Sequence, residues 1–134
     1  GWIPAVAEAP LSRSRLDLPD GVARLKYYPM AELMPAFDCA ISAAGYNTVT
    51  ELMHHGVPSI LFPFARNLDD QFARTTALVA RGAALPGAFP VQAIVAHLRE
   101  LESPVWRESL AAEARKIAPE NGAAAAAEAI LNLL

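Results

Sequence analysis

An alternation of apolar runs with stretches of helical period constrains the fold of this chain more than any other feature. The predicted strand Pro58–Phe64 contains the run Ser59–Phe62, which is apolar at every position but its first, as strands buried on both faces of a parallel sheet are. Other extended runs lie at Val22–Tyr28, Cys39–Ala43 and Ala83–Leu85. Strands that alternate with helices indicate βαβ units, so the sequence predicts an α/β fold with a parallel sheet flanked by helices.

The stretches between these runs have the apolar period and the end signals of helices. Gly56 and Gly82 stand where two of the helices should end. In the last helix an apolar stripe continues through Ile130 and Leu131, which predicts a packed terminal helix. The predicted helices are Ala31–Ala36, Thr48–His55, Leu68–Arg81, Pro90–Leu101, Pro104–Ile117 and Ala123–Leu134.

Composition excludes several classes of protein. With 134 residues there is room for one domain, and 54% hydrophobic against 19% charged residues excludes an intrinsically disordered chain. A net charge of −3 without a basic run gives no electrostatic basis for nucleic-acid binding. The single cysteine, Cys39, excludes a disulfide framework, and no signal peptide or membrane-spanning run is evident. We therefore expect a cytoplasmic protein.

The first part of the chain differs from the rest. Five of the eleven prolines fall in the first 35 residues, and Glu8–Gly21 has neither a strand nor a helix period. We therefore predict an irregular N-terminal segment at 1–21 and a folded domain at 22–134. The domain offers four strand candidates, whereas open parallel sheets commonly carry about five or six. The sheet is thus predicted to lack its first strands.

The junction that follows the strand Cys39–Ala43 indicates an anion site. There a buried strand runs into Gly45 and then directly into a helix, so N–H groups of the first helical turn should face the crevice beyond the strand. Gly45 would let the chain turn without a Cβ and let a phosphate approach the main chain, while Asn47 and Thr48 would add side-chain donors. A second interpretation stays open, because Thr48 followed three residues later by Glu51 also has the pattern of a capping box.

A second polar segment, Asn67–Gln71, follows the next strand and should lie at the same end of the sheet. Asp70 can accept hydrogen bonds and Gln71 can both donate and accept them, as recognition of sugar hydroxyls requires. Carboxylates at the start of a helix are also common caps. No metal site is predicted, because Asp69 and Asp70 are adjacent and no histidine or cysteine is close in sequence.

Two tyrosines, Tyr27 and Tyr28, end the first extended run of the predicted domain. They could be core aromatics, or they could offer a flat face on which a nucleobase stacks. The residues alone do not decide between these interpretations.

Taken in order, these segments resemble the donor-binding half of a GT-B glycosyltransferase, with the UDP-glycosyltransferases and the MurG-like N-acetylglucosaminyltransferases as the nearest families. The resemblance covers about residues 22–118, and it implies a Rossmann-like sheet that forms the C-terminal half of the GT-B fold, with 22–134 as a partial nucleotide-sugar-binding domain. The segments that carry it are Leu25–Met30, Phe37–Ser42, Ala44–Glu51, Gly56–Pro58, Phe62–Phe64 and Asp70–Gln71.

The resemblance also implies a role for each candidate residue. Tyr27 and Tyr28 would lie against the base, Gly45, Asn47 and Thr48 would hold the diphosphate, Glu51 would take the ribose hydroxyls, and Asp70 and Gln71 would take the sugar. Many members of the family have His at the place of Ala43 and Gln at the place of Met30. One phosphate contact and one nucleoside contact are therefore missing or replaced here.

The function that the resemblance implies is transfer of a hexose or N-acetylhexosamine from a UDP-sugar to an unknown acceptor, without a metal or cofactor. In the family the general base comes from an acceptor-binding domain that these residues do not include. No catalytic residue is therefore assigned, and the isolated chain is expected to be inactive. The alternatives are a non-catalytic donor-binding subunit with a separate acceptor-domain partner, a sugar-nucleotide epimerase and an interaction module without ligand. Missing strands would expose sheet edges, which predicts that the isolated chain either pairs its strands non-natively or associates with itself.

Overall fold

The computed structural model of the chain describes residues 1–8, 16–118 and 122–133. The chain divides into two compact units, Gly1–Leu33 and Met34–Leu134. In the first unit, strand β1 (Ala5–Ala7) pairs in parallel with strand β2 (Ala23–Leu25). Strand β1 thus lies within the segment 1–21, for which the sequence predicts irregular structure. A strand of three residues is too short to show a period of two.

The second unit contains a three-stranded parallel sheet in the order β3-β4-β5. These strands are β3 (Ala40–Ala43), β4 (Ser59–Phe62) and β5 (Leu85–Pro86). The central strand β4 is buried as the sequence predicts, since Ile60 and Leu61 have no exposed surface. The α/β class with parallel strands and flanking helices, predicted from the alternation of apolar runs, is confirmed.

The helices occupy the predicted places with shifted ends. Helix α1 begins two residues before its predicted start, and α2 begins three residues after it. A 3-10 helix occupies Met30–Ala36, and the α-helices are α1 (Tyr46–His55), α2 (Gln71–Ala80), α3 (Val91–Glu100), α4 (Pro104–Ile117) and α5 (Ala123–Leu131).

Helix α1 packs against α4. Leu52 and Met53 of α1 are each 1% exposed, and Leu110 of α4 is equally buried. The predicted stop at Gly56 is present, with φ of +65° in the left-handed region. A Cβ at this position would also lie 2.6 Å from the Nε atom of Arg115. The backbone conformation therefore requires glycine there, and a Cβ would in addition force the Arg115 side chain to move.

The last helix forms where the sequence predicts it, but it does not pack as predicted. Helix α5 forms, as its alanines favour, but every one of its residues is exposed. The predicted packing of its apolar stripe is wrong, because Ile130 and Leu131 are 61% and 68% exposed. Among the described strands β3 pairs only with β4, so self-association through its other edge stays a prediction.

No helix within the three described ranges combines the length and the hydropathy needed to cross a bilayer.

Candidate functional site

Two loops lie at the carboxyl end of the three-stranded sheet. Strand β3 leads through Ala44 and Gly45 directly into α1, while β4 leads through residues 63–70 into α2. The Ala44 N–H donates to the Phe62 carbonyl at 2.9 Å, so the two exits start side by side. Ligands of parallel α/β sheets bind beyond this end of the strands. These two loops and the helix starts that follow them therefore form the candidate site.

The first turn of α1 presents open main-chain donors. Gly45 is the N-cap residue, and no side chain of the described residues caps the helix. The first helical hydrogen bond runs from the Val49 N–H to the Gly45 carbonyl at 3.0 Å. The N–H groups of Tyr46, Asn47 and Thr48 precede it and have no acceptor within the helix. Together with the positive end of the helix dipole, these donors favour an anion.

The backbone at Gly45 does not need the conformational freedom of glycine, which the sequence suggested as one reason for this residue. Its φ of −65° and ψ of 145° are extended backbone that any residue adopts, so the turn itself does not require glycine. A Cβ at Gly45 would meet no atom of the residues that the structure describes within 4 Å. The absence of a side chain thus keeps the space in front of α1 clear, which is the condition for close approach of a ligand to the main chain.

The capping-box interpretation of the same segment does not hold. Because α1 begins at Tyr46, Thr48 lies inside the first turn and Glu51 lies in the second turn, too far along to cap the helix. Glu51 is four residues after Asn47 and therefore shares its face of the helix. The Glu51 side chain is half-buried and has no hydrogen-bond or ion-pair partner among the described residues. The carboxylate is thus available to a ligand.

Gln71 closes the loop that leads from β4 into α2. It is 5% exposed; its Oε1 accepts from the Phe64 N–H at 3.0 Å, and its Nε2 donates to Asp69 Oδ2 at 3.1 Å. These bonds span the loop from its first part to the start of the helix. The second N–H of the Gln71 side-chain amide takes part in neither of these hydrogen bonds.

Asp70 is the N-cap residue of α2. Its Oδ1 accepts from the Ala73 N–H at 2.9 Å, and its side chain is exposed. The capping interpretation of this residue is thus correct, and the second carboxylate oxygen takes no part in the cap. Across the described ranges, His, Cys, Asp and Glu side chains form no group of three that could hold a metal ion.

Arg74, in the first turn of α2, joins the two loops, although no sequence motif singles it out. Its Nη1 donates to the Ala44 carbonyl at 2.7 Å, its Nη2 pairs with Asp69, and its Cζ lies 5.4 Å from the centre of the Tyr46 ring. The hydrogen bond from Arg74 is the main reason why the pKa of Asp69 lies below its usual range. An arginine one turn after an acidic cap is the only local signal, since Ala44 is 30 residues away.

Tyr27 and Tyr28 belong to the first unit, where they follow β2. Both rings are exposed, at 44% and 77%, which excludes the interpretation as core aromatics. The Tyr27 hydroxyl donates to the Glu32 carboxylate, and this bond raises the pKa of the tyrosine. Their role toward a base stays a prediction.

Comparison with known proteins gives a consistent family. The sequence model of the glycosyltransferase family 28 C-terminal domain matches residues 7–129. The UDP-N-acetylglucosamine–N-acetylmuramyl-(pentapeptide) pyrophosphoryl-undecaprenol N-acetylglucosamine transferase of Gloeobacter violaceus is 36% identical over 108 residues. That alignment covers 75% of this chain and 30% of the relative. The chain therefore spans less than a third of the length of this relative.

Two solved glycosyltransferases have similar structures. The glycosyltransferase VinC in complex with dTDP has a TM-score of 0.62 and 27% identity, covering 77% of this chain and 25% of that chain. The spinosyn forosaminyltransferase SpnP has a TM-score of 0.65 and 25% identity, covering 86% of this chain and 28% of that chain. Both neighbours share the GT-B architecture that the order of motifs predicts.

Proposed function

This chain belongs to the glycosyltransferase family 28 C-terminal domains, and from that membership we propose that it binds the nucleotide-sugar donor of a glycosyltransferase. The observation that carries the proposal is the open first turn of α1 behind Gly45, at the carboxyl end of β3. Main-chain donors, a helix dipole and free space coincide there, as binding of a diphosphate requires.

The donor that we propose is a UDP-sugar. The Gloeobacter relative is named for UDP-N-acetylglucosamine, and VinC was solved with dTDP, another pyrimidine nucleoside diphosphate. We therefore propose transfer of a hexose or N-acetylhexosamine, with UDP-N-acetylglucosamine as the first donor to test. The acceptor is not assigned.

Each candidate residue has a proposed part in holding this donor. The N–H groups of the first turn of α1 and the side chains of Asn47 and Thr48 would hold the diphosphate. Glu51, which shares the face of Asn47, would accept the ribose hydroxyls with its unpaired carboxylate. The exposed oxygen of Asp70 would accept sugar hydroxyls, with Gln71 holding the loop and offering its remaining N–H. Tyr27 and Tyr28 would stack against the uracil.

Fixed donors would also assist departure of the leaving group. When the glycosidic bond to the diphosphate breaks, negative charge grows on the phosphate oxygen. N–H groups that already point at this oxygen stabilise the charge without reorganising, an oxyanion-type effect. No cation held by this chain is needed for that step. The same donor binding would serve a non-catalytic subunit whose acceptor domain is a separate polypeptide.

Thermal unfolding of the 134-residue chain with UDP, GDP and dTDP in separate wells tests the proposal. Ligand at 100 times its dissociation constant should stabilise the fold by roughly 2.7 kcal/mol, and we expect UDP to stabilise at the lowest concentration. Gly45→Val should remove this effect by filling the space in front of α1. Gly122→Val is the matched control, since Gly122 is also an N-cap at which an added Cβ would meet nothing within 4 Å. Absence of stabilisation by all three nucleotides would contradict the proposal.

A further inference from the structure

Arg74 places a positive charge beside the open end of α1. Its guanidinium contacts Ala44, directly before the N-cap, and the ring of Tyr46, directly after it. The contacts therefore bracket Gly45 on both sides along the chain. The Arg74 side chain is 22% exposed, so it is held in place and is still accessible to a ligand.

The guanidinium has hydrogen-bonding capacity left. Arginine carries five N–H donors, and the contacts to Ala44 and Asp69 use one from Nη1 and one from Nη2. Bonding to Asp69 also raises the pKa of Arg74 above its ordinary value, so the group stays protonated. A planar, permanently charged group with unused donors is well suited to phosphate oxygens.

Position and chemistry agree with a role in the site. The anion site at α1 depends on partial charges of main-chain N–H groups, and the guanidinium next to them adds to the same field, although the Asp69 carboxylate offsets part of its charge. The contact with the Ala44 carbonyl also offsets a negative dipole that would otherwise lie beside the bound anion. A neutral nucleoside would gain nothing from either effect.

We propose that Arg74 is a further donor-site residue, which selects for the charged diphosphate part of the donor. This inference rests on the proposed function, because it places the diphosphate at the N-terminal end of α1. It distinguishes two roles for Arg74. A purely structural arginine would tie the loops together and affect every ligand equally, whereas a charge-supplying arginine affects UDP and leaves uridine alone.

The test is isothermal titration of the full chain with UDP and with uridine, for wild type, Arg74→Gln and Arg74→Lys. Arg74→Gln should weaken UDP binding by about tenfold or more, the usual effect of losing a hydrogen bond to a charged group, and should leave uridine within about twofold. Arg74→Lys should keep most of the preference for UDP. Arg81→Gln is the matched control, since Arg81 is exposed at the other end of α2.

The outcomes separate this inference from the function on which it rests. Wild type that binds neither ligand overturns both. Wild type that binds UDP, with Arg74→Gln binding it equally well, overturns the role of Arg74 alone. Equal loss of UDP and uridine shows a structural residue and also overturns that role. Should Arg74→Gln fail to fold, Arg74→Lys decides, because loss of its UDP preference would contradict the inference.

Discussion

The side-chain oxygen of Gln71 accepts a hydrogen bond from the Phe64 main-chain N–H at 3.0 Å, which ties the start of α2 to the first part of the loop after β4. Because Gln71 is 5% exposed, water cannot readily replace the bond. This contact therefore helps to hold the loop that carries Asp70.

Gln71→Leu should therefore destabilise the fold. The substitution leaves a partly buried N–H without its acceptor, which costs about 1–3 kcal/mol, and urea unfolding measures the loss. Gln92→Leu, at an exposed position of α3, is the control and should change stability by less than about 0.5 kcal/mol. Equal stability of the two variants would show that the Gln71 bond does not hold the loop.

Glu51→Gln should weaken binding of uridine and of UDP alike. The variant keeps the shape of the side chain and removes the charge that would accept ribose hydroxyls, so we expect about tenfold weaker binding of both ligands. The melting temperature should stay level or rise, because a half-buried carboxylate without a partner is itself unfavourable. Glu108→Gln, on the exposed surface of α4, is the control. Unchanged uridine affinity would exclude the ribose role.

Asp70→Asn should separate sugar recognition from helix capping. Asparagine caps a helix about as well as aspartate, so stability should be nearly unchanged. Affinity for UDP-N-acetylglucosamine should fall while affinity for free UDP stays the same, and competition binding measures both. Asp70→Ala should in addition lower stability by about 1 kcal/mol through loss of the cap. Equal weakening of both ligands by Asp70→Asn would contradict a contact to the sugar.

The ion pair of Asp69 with Arg74 predicts a pH dependence. Its hydrogen bond lowers the pKa of Asp69 in the folded chain, so the unfolded chain takes up the proton first as the pH falls. The stabilisation is fully present above the ordinary carboxyl range and is lost as the pH falls through that range to the lowered value. The stability difference between wild type and Asp69→Asn should therefore shrink between about pH 6 and pH 3. Asp20→Asn, at an exposed position, is the control. A stability difference for Asp69→Asn that does not change with pH, or an equal change with pH for Asp20→Asn, would contradict the role of this ion pair.

Much of the fold is readable from local pattern. The apolar run Ser59–Phe62 predicts the central strand, and Gly56 predicts the end of α1, because burial and a left-handed turn each leave a residue-level signal. Strand β1 is not predicted, since Ala5–Ala7 is too short to show a period. The exposure of α5 is not predicted either. Helix propensity predicts that the helix forms, but it does not predict which elements the helix packs against.

Part of the candidate site can likewise be predicted from local sequence signals. Gly45 and Asp70 stand out in the sequence by their places at the two strand exits, and the structure puts both at helix N-caps. Arg74 does not stand out, because its contacts to Ala44 and Tyr46 form only when neighbouring strands bring the loops together. The buried bonds of Gln71 likewise depend on the path of the loop, which no spacing rule gives.

The backbone amide resonances of the 134-residue chain during titration with UDP test the central claim most directly. We expect the largest shifts at Tyr46, Asn47 and Thr48, much smaller shifts at these amides with uridine, and loss of the UDP-induced shifts in Gly45→Val. UDP-induced shifts that are confined to α3 and α5, or that persist unchanged in Gly45→Val, would show that the first turn of α1 does not hold the diphosphate.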